Sequence, residues 1–369
     1  MDPGSARLAV ASLGITAMVL ASCRQAPQPP SETEQVDTQA ESLSGAPEPL
    51  AELRRGMNVL YYDPGWGERG PIPLGDTVTA AWRFQQSHFE AIRGGGFDFV
   101  RVNLRAFPHM AVDYDYYTMD AEYGINPAFL ELVDWVVNSA TEAGLSVILD
   151  GHDYEVCGES AALCRQRLLF FWGRIASRYQ DAPPSVLFEL LNEPLGELDV
   201  DTWNALFPEI LAVVRETNPT RRVIIGSVRW SDFSTIPTLE LPEGDPNIIA
   251  TFHYYHPTRF TAQGNPRVSR RTGVTWGSDA DRAQIASDFD TVAEWSRLTG
   301  RQVLLGEFGV ASRVPMDLRV DWTAAVAREA ERRGFAWAYW AFHGSRPAWD
   351  ADRDGWVEEI HGALIPRTP

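Results

Sequence analysis

Two glutamates beside apolar segments are the residues in this sequence best suited to acid–base chemistry. Glu193 comes directly after the apolar-rich segment 186–192, and Glu307 lies near the end of a second such segment, 302–308. A charge in such a place is costly unless it is paired or used. Glycoside hydrolysis requires one carboxylic acid that protonates the leaving oxygen and one carboxylate that attacks or activates water. Either glutamate alone is commonly structural, but the two together predict a hydrolytic site.

Other polar and aromatic side chains occupy equivalent places along the chain. They are Arg101, Asn103, Asp150, His152, Glu189, Asn192, His253, Tyr255 and Trp340. The carboxyl ends of parallel strands meet at one rim of a barrel, so these side chains are expected to face the same site as the two glutamates. Their joint placement favours a functional explanation over a purely structural one.

Eight short apolar-rich segments predict the strands that would position these residues. They are 54–61, 97–104, 145–151, 186–192, 222–228, 248–255, 302–308 and 335–342. Amphipathic helices are predicted over 126–143, 161–179, 201–217, 281–299 and 318–333, whereas 229–247 shows no helical pattern. This alternation predicts an α/β fold, a single (β/α)₈ TIM barrel. The competing fold, an open doubly wound sheet, would be expected to carry a glycine-rich turn after its first strand, and Gly56-Met57-Asn58 is not one.

Composition excludes several classes of function. The chain has 369 residues and a formal net charge of -18, with no basic cluster that would attract a phosphate backbone. Nucleic-acid binding is therefore not expected, whereas neutral sugars are not repelled. The 13 tryptophans suit a sugar-binding cleft as well as a core. His and Cys residues lack the spacing of metal ligands, so no metal is expected.

The amino terminus has the pattern of an export signal. Arg7 precedes an uncharged run over 8–22, and Leu20-Ala21-Ser22-Cys23 resembles the bacterial lipobox, in which the cysteine is lipidated. The alternative is an ordinary secretory signal with an incidental cysteine. We predict a signal peptide over 1–22, the lipidated Cys23 and a proline-rich linker over 23–52, and a catalytic domain over 53–369. An exported protein anchored to a membrane by lipid, in the periplasm or at the cell surface, is the expectation.

Cys157 and Cys164 are close in sequence, and an exported chain folds in an oxidising compartment. Their spacing favours a disulfide that closes one surface loop.

The motifs together resemble glycoside hydrolase family 5, the largest cellulase family. The segments that carry the resemblance run in the family's order over about 55–365: Phe97 to Asn103, Val147 to His152, Phe188 to Pro194, Phe252 to Tyr255, Leu305 to Gly309, and Tyr339-Trp340. One departure is Gly151 before His152, where many members carry an aromatic residue or a second histidine. The resemblance implies a retaining O-glycosyl hydrolase that needs no cofactor.

The same resemblance implies a role for each matching residue. Glu193 would be the general acid/base and Glu307 the nucleophile, contacted by Arg101 and Tyr255. Asn192 would bind the 2-hydroxyl of the reacting sugar, His152 and His253 would position groups around it, and Trp340 would be its stacking platform. We expect a raised pKa for Glu193 and an ionised Glu307. Trp66, Trp230 and Trp276 fall in predicted loops and are candidates for further sugar platforms.

The substrate expected from the resemblance is a β-1,4-glucan, cleaved by a monomer of the endoglucanase type. A β-mannanase or a β-1,3-glucan hydrolase would use the same site, because fold and catalytic residues do not determine the sugar. A surface lipoprotein that binds glycans without cleaving them is the alternative of a different class. It would not need both glutamates and their supporting residues.

Overall fold

The computed structural model describes residues 53–59, 84–110 and 124–366, all within one compact unit, Gly45–Pro369. The predicted signal peptide, Cys23, the linker and Trp66 lie outside the described residues. No helix in the described ranges is long and apolar enough to span a membrane.

Eight parallel strands form a closed barrel in sequence order, as predicted. They are β1 (Arg55–Val59), β2 (Phe99–Leu104), β3 (Ser146–Gly151), β4 (Val186–Glu189), β5 (Val223–Gly226), β6 (Ile248–Tyr254), β7 (Val303–Phe308) and β8 (Ala336–Tyr339). Strand β8 pairs with β1 and closes the barrel. Each observed strand lies inside its predicted segment, because short apolar runs covered on both faces are typical of parallel strands.

Helices cover the outside of the barrel. They are α1 (Gln86–Gly94), α2 (Pro127–Glu142), α3 (Tyr154–Glu159), α4 (Ala161–Arg178), α5 (Val200–Thr217), α6 (Val228–Ser231), α7 (Thr258–Thr261), α8 (Asp279–Thr299), α9 (Met316–Arg332) and α10 (Glu358–Leu364). Of these, α6 is a single turn with left-handed φ angles at Arg229 and Trp230, after β5, and not a regular helix. The five predicted helices correspond to α2, α4, α5, α8 and α9. The others were not predicted; they have at most nine residues, too few to show a helical period clearly. A short antiparallel pair, β9 (Trp349–Asp350) and β10 (Gly355–Trp356), follows β8.

Local signals explain where the long helices begin and end. The Asn126 side chain accepts a hydrogen bond from the Ala128 backbone at the start of α2, and Ser278 forms a capping box with Asp281 at the start of α8. Gly300 after α8 and Gly334 after α9 have φ angles of 65° and 71°. This left-handed conformation is available to glycine at little cost, so both helices stop directly before the next strand.

The barrel interior is filled by one apolar layer. Its buried side chains are Leu53, Phe99, Ile148, Leu187, Ile224, Ile249, Leu304, Ala336 and Ala338. A Cβ atom at Gly56 would lie 2.3 Å from the Phe99 ring, so only glycine leaves room for that ring. The larger cluster of buried side chains joins the outer faces of the strands to the helices. This arrangement leaves the carboxyl end of the barrel for polar residues.

Cys157 and Cys164 form a disulfide, as their spacing predicted. It joins α3 to α4, and both residues are fully buried. The α3 turn packs against the segment that follows Glu193, because the Glu197 backbone donates to the Gly158 carbonyl over 2.9 Å. The disulfide therefore supports a turn in contact with the loop that carries Glu193.

Removal of this disulfide should lower stability more than activity. For Cys157→Ala combined with Cys164→Ala, we expect a loss of about 2 kcal/mol in the free energy of unfolding, because a short closed loop no longer restricts the unfolded chain. Denaturant titration of the double variant against the wild type measures this. Equal unfolding free energies would show that the crosslink contributes nothing.

Candidate active site

Alternation along the strands places a polar layer directly above the apolar one. In β2, Phe99 lies in the barrel interior and Arg101, two residues later, lies on the same side. In the same way Asp150 follows Ile148 in β3, and Glu189 follows Leu187 in β4. The register pairs Asp150 with Glu189. The interior of the barrel mouth therefore holds several charged side chains, which must satisfy one another.

Arg101 is the centre of this layer and is fully buried. Its guanidinium holds Glu189 through two hydrogen bonds, of 2.6 and 2.8 Å, and donates to Glu307 over 2.8 Å. Further partners are Asn58 at 2.9 Å, Asn192 at 2.8 Å and Asp150 at 3.1 Å. Burial raises the pKa of Glu189 to about 7, even though Arg101 opposes this rise. One buried cation is thus shared by three carboxyl groups.

Glu307 is held by two donors. Arg101 donates to Oε1, and the Tyr255 hydroxyl donates to Oε2 over 2.8 Å. Both contacts were expected from the family resemblance. Burial nevertheless raises the pKa of Glu307 above its ordinary value, against the favourable charge of Arg101 and the Tyr255 hydrogen bond. The two donors limit this rise and orient both oxygens.

A register shift turns Glu307 into the barrel. Strict alternation from the interior residue Leu304 would place Glu307 on the outer face of β7. The pairing of β6 with β7 shifts between Phe252 and His253, so that His253 stands opposite Glu307. At Gly306, a Cβ atom would lie 2.7 Å from the Thr251 hydroxyl, so glycine permits the close approach. Glu307 therefore reaches Arg101 because of the irregularity.

Glu193 lies beside Glu307 and His253. One oxygen of each carboxyl and one ring nitrogen of His253 lie within 4.8 Å of one another. His253 Nδ1 is 2.8 Å from Glu193 Oε1. Burial and the neighbouring Glu307 carboxyl raise the pKa of Glu193 well above its ordinary value. Burial also lowers the pKa of His253 well below its usual range, so the ring is neutral and does not oppose protonation of Glu193. The pKa of Glu307 is also raised, but burial and the neighbouring carboxyl favour a proton more strongly on Glu193.

His152 and Trp340 form one wall of the site. Their rings are stacked, with centroids 5.7 Å apart and planes 12° apart. His152 Nδ1 is 2.7 Å from Asp150 Oδ2, which also accepts from the Asn103 amide over 2.9 Å. Asn192 accepts from Arg101 through its side-chain oxygen, so only its amide nitrogen can donate to a sugar hydroxyl. The site residues predicted from the sequence, from Arg101 to Trp340, thus converge at one barrel mouth.

Three supporting residues were not assigned a role from the sequence. Asn58, Asp150 and Glu189 hold Arg101 and are fully buried. Asn58 also donates to the Gly306 carbonyl over 2.9 Å, which links β1 to the strand of Glu307. The available signal was a charged residue inside an apolar run, as Glu189 is in Val186-Leu187-Phe188-Glu189-Leu190.

Comparison with known proteins agrees with the chemistry that this geometry suggests. Residues 74–346 match the model of the cellulase family, glycosyl hydrolase family 5. The chain belongs to glycosyl hydrolase family 5. Endoglucanase H from Acetivibrio thermocellus is 31% identical over 273 residues, which are 72% of this chain and 29% of that protein. Endoglucanase B from Clostridium cellulovorans is 26% identical over 270 residues, 68% of this chain and 59% of its own length. This chain therefore spans less than two thirds of these relatives.

Solved structures of similar size resemble the whole barrel of this family 5 protein. A hyperthermophilic endo-β-1,4-glucanase in complex with substrate is 32% identical, with a TM-score of 0.77 over 86% of this chain and 97% of that one. Cel5A from Thermotoga maritima is also 32% identical, with a TM-score of 0.75 over 85% and 97% of the two chains. The fold and the family membership predicted from the sequence are confirmed.

Trp276 does not line the site, contrary to expectation. It is 5% exposed, its ring lies 6.3 Å from that of Phe260, and the Arg282 guanidinium lies over it at 5.1 Å. A ring covered on its faces cannot stack on a sugar. Sequence alone placed Trp276 in a loop but did not show what packs on that loop.

Trp230 is 56% exposed and lies beside the segment that follows Glu193 in this family 5 protein. Its backbone donates to the Pro194 carbonyl over 3.3 Å. Arg229, Trp230 and Ser231 have φ angles of 56°, 62° and 53°, a conformation that is costly without glycine. The Ser231 hydroxyl anchors this turn by donating to the Asn192 carbonyl over 2.9 Å. The turn thus holds an exposed tryptophan next to the segment that contains Glu193.

Replacement of Trp230 by alanine should weaken substrate binding. We expect an increase of about tenfold in KM for long oligosaccharides with little change in kcat, because one stacking contact is lost. Steady-state kinetics on oligosaccharides of increasing length measure this, and Trp230→Phe should retain most of the affinity. Unchanged KM values for Trp230→Ala would remove this ring from the binding surface.

Glu193, His253 and Glu307 are also the group in the described ranges that could hold a metal ion. The two glutamates are the groups expected to carry out the acid–base chemistry, and Arg101 donates to Glu307 directly. The expectation that no metal is needed remains a prediction. Extensive dialysis against EDTA should leave kcat/KM unchanged, within about twofold, and added Mg²⁺ or Zn²⁺ should not increase it. Loss of activity that a metal restores would contradict this.

Proposed function

We propose that this chain is a retaining endo-β-1,4-glucanase. The observation that carries the proposal is the pair of carboxyl groups over one site, with a proton favoured on Glu193 and two donors on Glu307. Their oxygens approach within 4.8 Å. This spacing suits a retaining enzyme, whose carboxyls lie about 5–5.5 Å apart, better than an inverting one, at about 6.5–9.5 Å. The β-1,4 linkage follows from the similar solved structure, at 32% identity, that is described as a hyperthermophilic endo-β-1,4-glucanase in complex with substrate.

In the first step, Glu307 attacks the anomeric carbon of the reacting sugar. A bond forms between that carbon and a Glu307 oxygen while the glycosidic bond breaks, and the proton of Glu193 passes to the leaving oxygen. Arg101 and Tyr255 hold Glu307 so that one oxygen is aimed at the carbon. Asn192 would bind the 2-hydroxyl, an interaction that strengthens in the transition state.

In the second step, Glu193 acts as a base. Its carboxylate takes a proton from water, the water oxygen bonds to the anomeric carbon, and the ester bond to Glu307 breaks. Glu307 returns as a carboxylate and Glu193 returns as an acid, so no cofactor is consumed. Two successive inversions at one carbon retain the anomeric configuration.

A mannan is the second candidate substrate. One of the solved structures that this chain resembles is described as Thermotoga maritima Cel5A in complex with mannotriose, at 32% identity and a TM-score of 0.74. The same protein is also described in complex with cellobiose. Shared fold and catalytic groups do not separate the two sugars.

A product profile on defined β-linked oligosaccharides tests the proposal. The purified chain should release shorter cello-oligosaccharides from the middle of cellohexaose, with β products detected first by NMR. Manno-oligosaccharides and β-1,3-linked oligosaccharides serve as competing substrates, and Glu307→Gln is the inactive control. Equal behaviour of the wild type and Glu307→Gln on every β-glycan would favour a glycan-binding protein instead.

We further propose that the protein is an exported monomer attached to a membrane through Cys23. The supporting observation is the lipobox-like segment before a proline-rich stretch in 23–52. Labelled fatty acid should be incorporated into the wild type and not into Cys23→Ala, which should be released into the soluble fraction. Light scattering of the domain 53–369 should give the mass of one chain.

A further inference from the structure

The segment after β8 holds Arg346 in a defined place beside the site. The Arg346 carbonyl accepts from the Ala341 backbone over 3.2 Å, and the neighbouring Ser345 carbonyl accepts from the Ser312 backbone over 2.9 Å. A Cβ atom at Gly309 would lie 3.1 Å from Arg346 Cδ and 2.4 Å from the Trp340 carbonyl. The glycine that follows the Glu307 strand therefore lets the Arg346 segment approach.

The Arg346 guanidinium lies over the Tyr255 ring. Its central carbon is 4.9 Å from the ring centroid, and the hydroxyl of the same ring donates to Glu307. Within the described ranges, this guanidinium has no ion pair or hydrogen bond, and its Nε atom is buried without a partner. A half-buried cation without a counter-charge is costly, so a use at the site is expected.

The charged and titratable groups around Glu193 define what that use can be. They are Glu307, Asp150, Arg101, Arg346, His253, Tyr154 and Tyr255. Arg346 lies over Tyr255, whose hydroxyl binds Glu307, and an oxygen of the Glu307 carboxyl lies within 4.8 Å of one of Glu193. Burial raises the pKa of Glu193, as do Glu307 and Asp150, whereas Arg101 and Arg346 lower it. His253 is neutral, as are the tyrosines, whose pKa values burial raises. Arg101 is already shared by three carboxyls, whereas Arg346 has no acid of its own in this part of the structure.

We propose that Arg346 is a positioning residue whose positive charge strengthens Glu193 as the general acid. The inference rests on the proposed hydrolase function. Glu193 must keep its proton until the substrate arrives and then release it to the leaving oxygen. Burial and two neighbouring carboxyls favour retention of the proton, so an acid in that setting alone is weak. The unshared charge of Arg346 favours the carboxylate that forms when the proton leaves.

Leaving-group dependence provides the test. Cello-oligosaccharides have a poor leaving group that needs the proton of Glu193, whereas dinitrophenyl β-cellobioside does not need it. Arg346→Met removes the charge and keeps most of the length, and Arg346→Lys keeps the charge. Arg353→Met, on an exposed arginine of the following turn, is the matched control. The quantity measured is kcat/KM for both substrates as a function of pH, since it reports the step that forms the glycosyl-enzyme.

For Arg346→Met we expect kcat/KM on cello-oligosaccharides to fall about threefold to tenfold, with a change of less than about twofold on dinitrophenyl β-cellobioside. The basic limb of the pH profile should move upward by about half to one pH unit, because Glu193 holds its proton more tightly. Arg346→Lys should restore both quantities, and Arg353→Met should alter neither. A ¹³C NMR titration of Glu193 in the folded Arg346→Met variant should show the same upward shift.

Equal losses on both substrates without a shift of the basic limb would overturn the inference, because Arg346 would then only support Tyr255 or contact the sugar. Unchanged kinetics and an unchanged titration of Glu193 would overturn it as well. Inactivity of the wild type on both substrates is a separate result. It would refute the hydrolase function itself, and the inference would fall with it.

Discussion

Glu307→Ala should reduce kcat/KM on cello-oligosaccharides by about 10⁴-fold or more, because no covalent glycosyl-enzyme can form without the nucleophile. The cavity that the missing carboxyl leaves should admit a small anion. With azide and an activated donor such as dinitrophenyl β-cellobioside, we expect an α-glycosyl azide, since azide attacks from the face that Glu307 occupied. Steady-state kinetics and NMR of the azide product measure the two effects.

The control for this experiment is Glu243→Ala. Glu243 is exposed and precedes β6, at the opposite end of the barrel from the site, so its removal should leave kcat/KM unchanged. Thermal unfolding of both variants shows whether they remain folded. Substantial activity of folded Glu307→Ala without azide, or a β-glycosyl azide as its product, would assign the nucleophile to another residue.

The loss of kcat/KM in Glu193→Ala should depend on the leaving group of the substrate. We expect a loss of about 10²–10⁴-fold in kcat/KM on cello-oligosaccharides, because the leaving oxygen no longer receives a proton. The loss on dinitrophenyl β-cellobioside should be much smaller. Azide should then accelerate turnover and give a β-glycosyl azide, since it attacks the intermediate that Glu307 still forms. This product has the opposite configuration to the one expected from Glu307→Ala.

The pH dependence of activity should have an acidic and a basic limb, and comparison of the wild type with Glu193→Ala assigns each limb to a residue. In the wild type, activity on cello-oligosaccharides should fall as pH rises through the raised pKa of Glu193, which must be protonated. It should also fall as pH decreases through the pKa of Glu307, which must be ionised. On the activated substrate, Glu193→Ala should lose the basic limb and keep the acidic one. A basic limb that persists unchanged would show that another group is the acid.

Much of the scaffold was predictable because its signals are local. The eight strands and the five long helices lie where apolar runs and amphipathic stretches predicted them. Both patterns can be recognised within one segment, without knowledge of distant contacts. Cys157 and Cys164 are seven positions apart, so their disulfide closes a short local loop. The residues that form the site were also identifiable, because charged groups after apolar runs are costly unless used.

The arrangement of those residues depended on contacts between distant parts of the chain. Arg101 meets Glu307 across 206 positions, and only closure of the barrel decides that distance. A register shift turns Glu307 inward, although strict alternation would have placed it outside. Burial, which raises the pKa of Glu193, exists only once these elements have assembled.

The tryptophans show the same division between sequence and structure. The sequence determined that Trp230 and Trp276 lie in segments after strands of an α/β barrel, and that such rings suit sugars. The tertiary structure alone decided that Trp276 is covered by Phe260 and Arg282 while Trp230 remains exposed beside Glu193. The physical reason is that hydrophobic periodicity is encoded within one segment, whereas the exposure and charge environment of a side chain depend on what other segments pack around it.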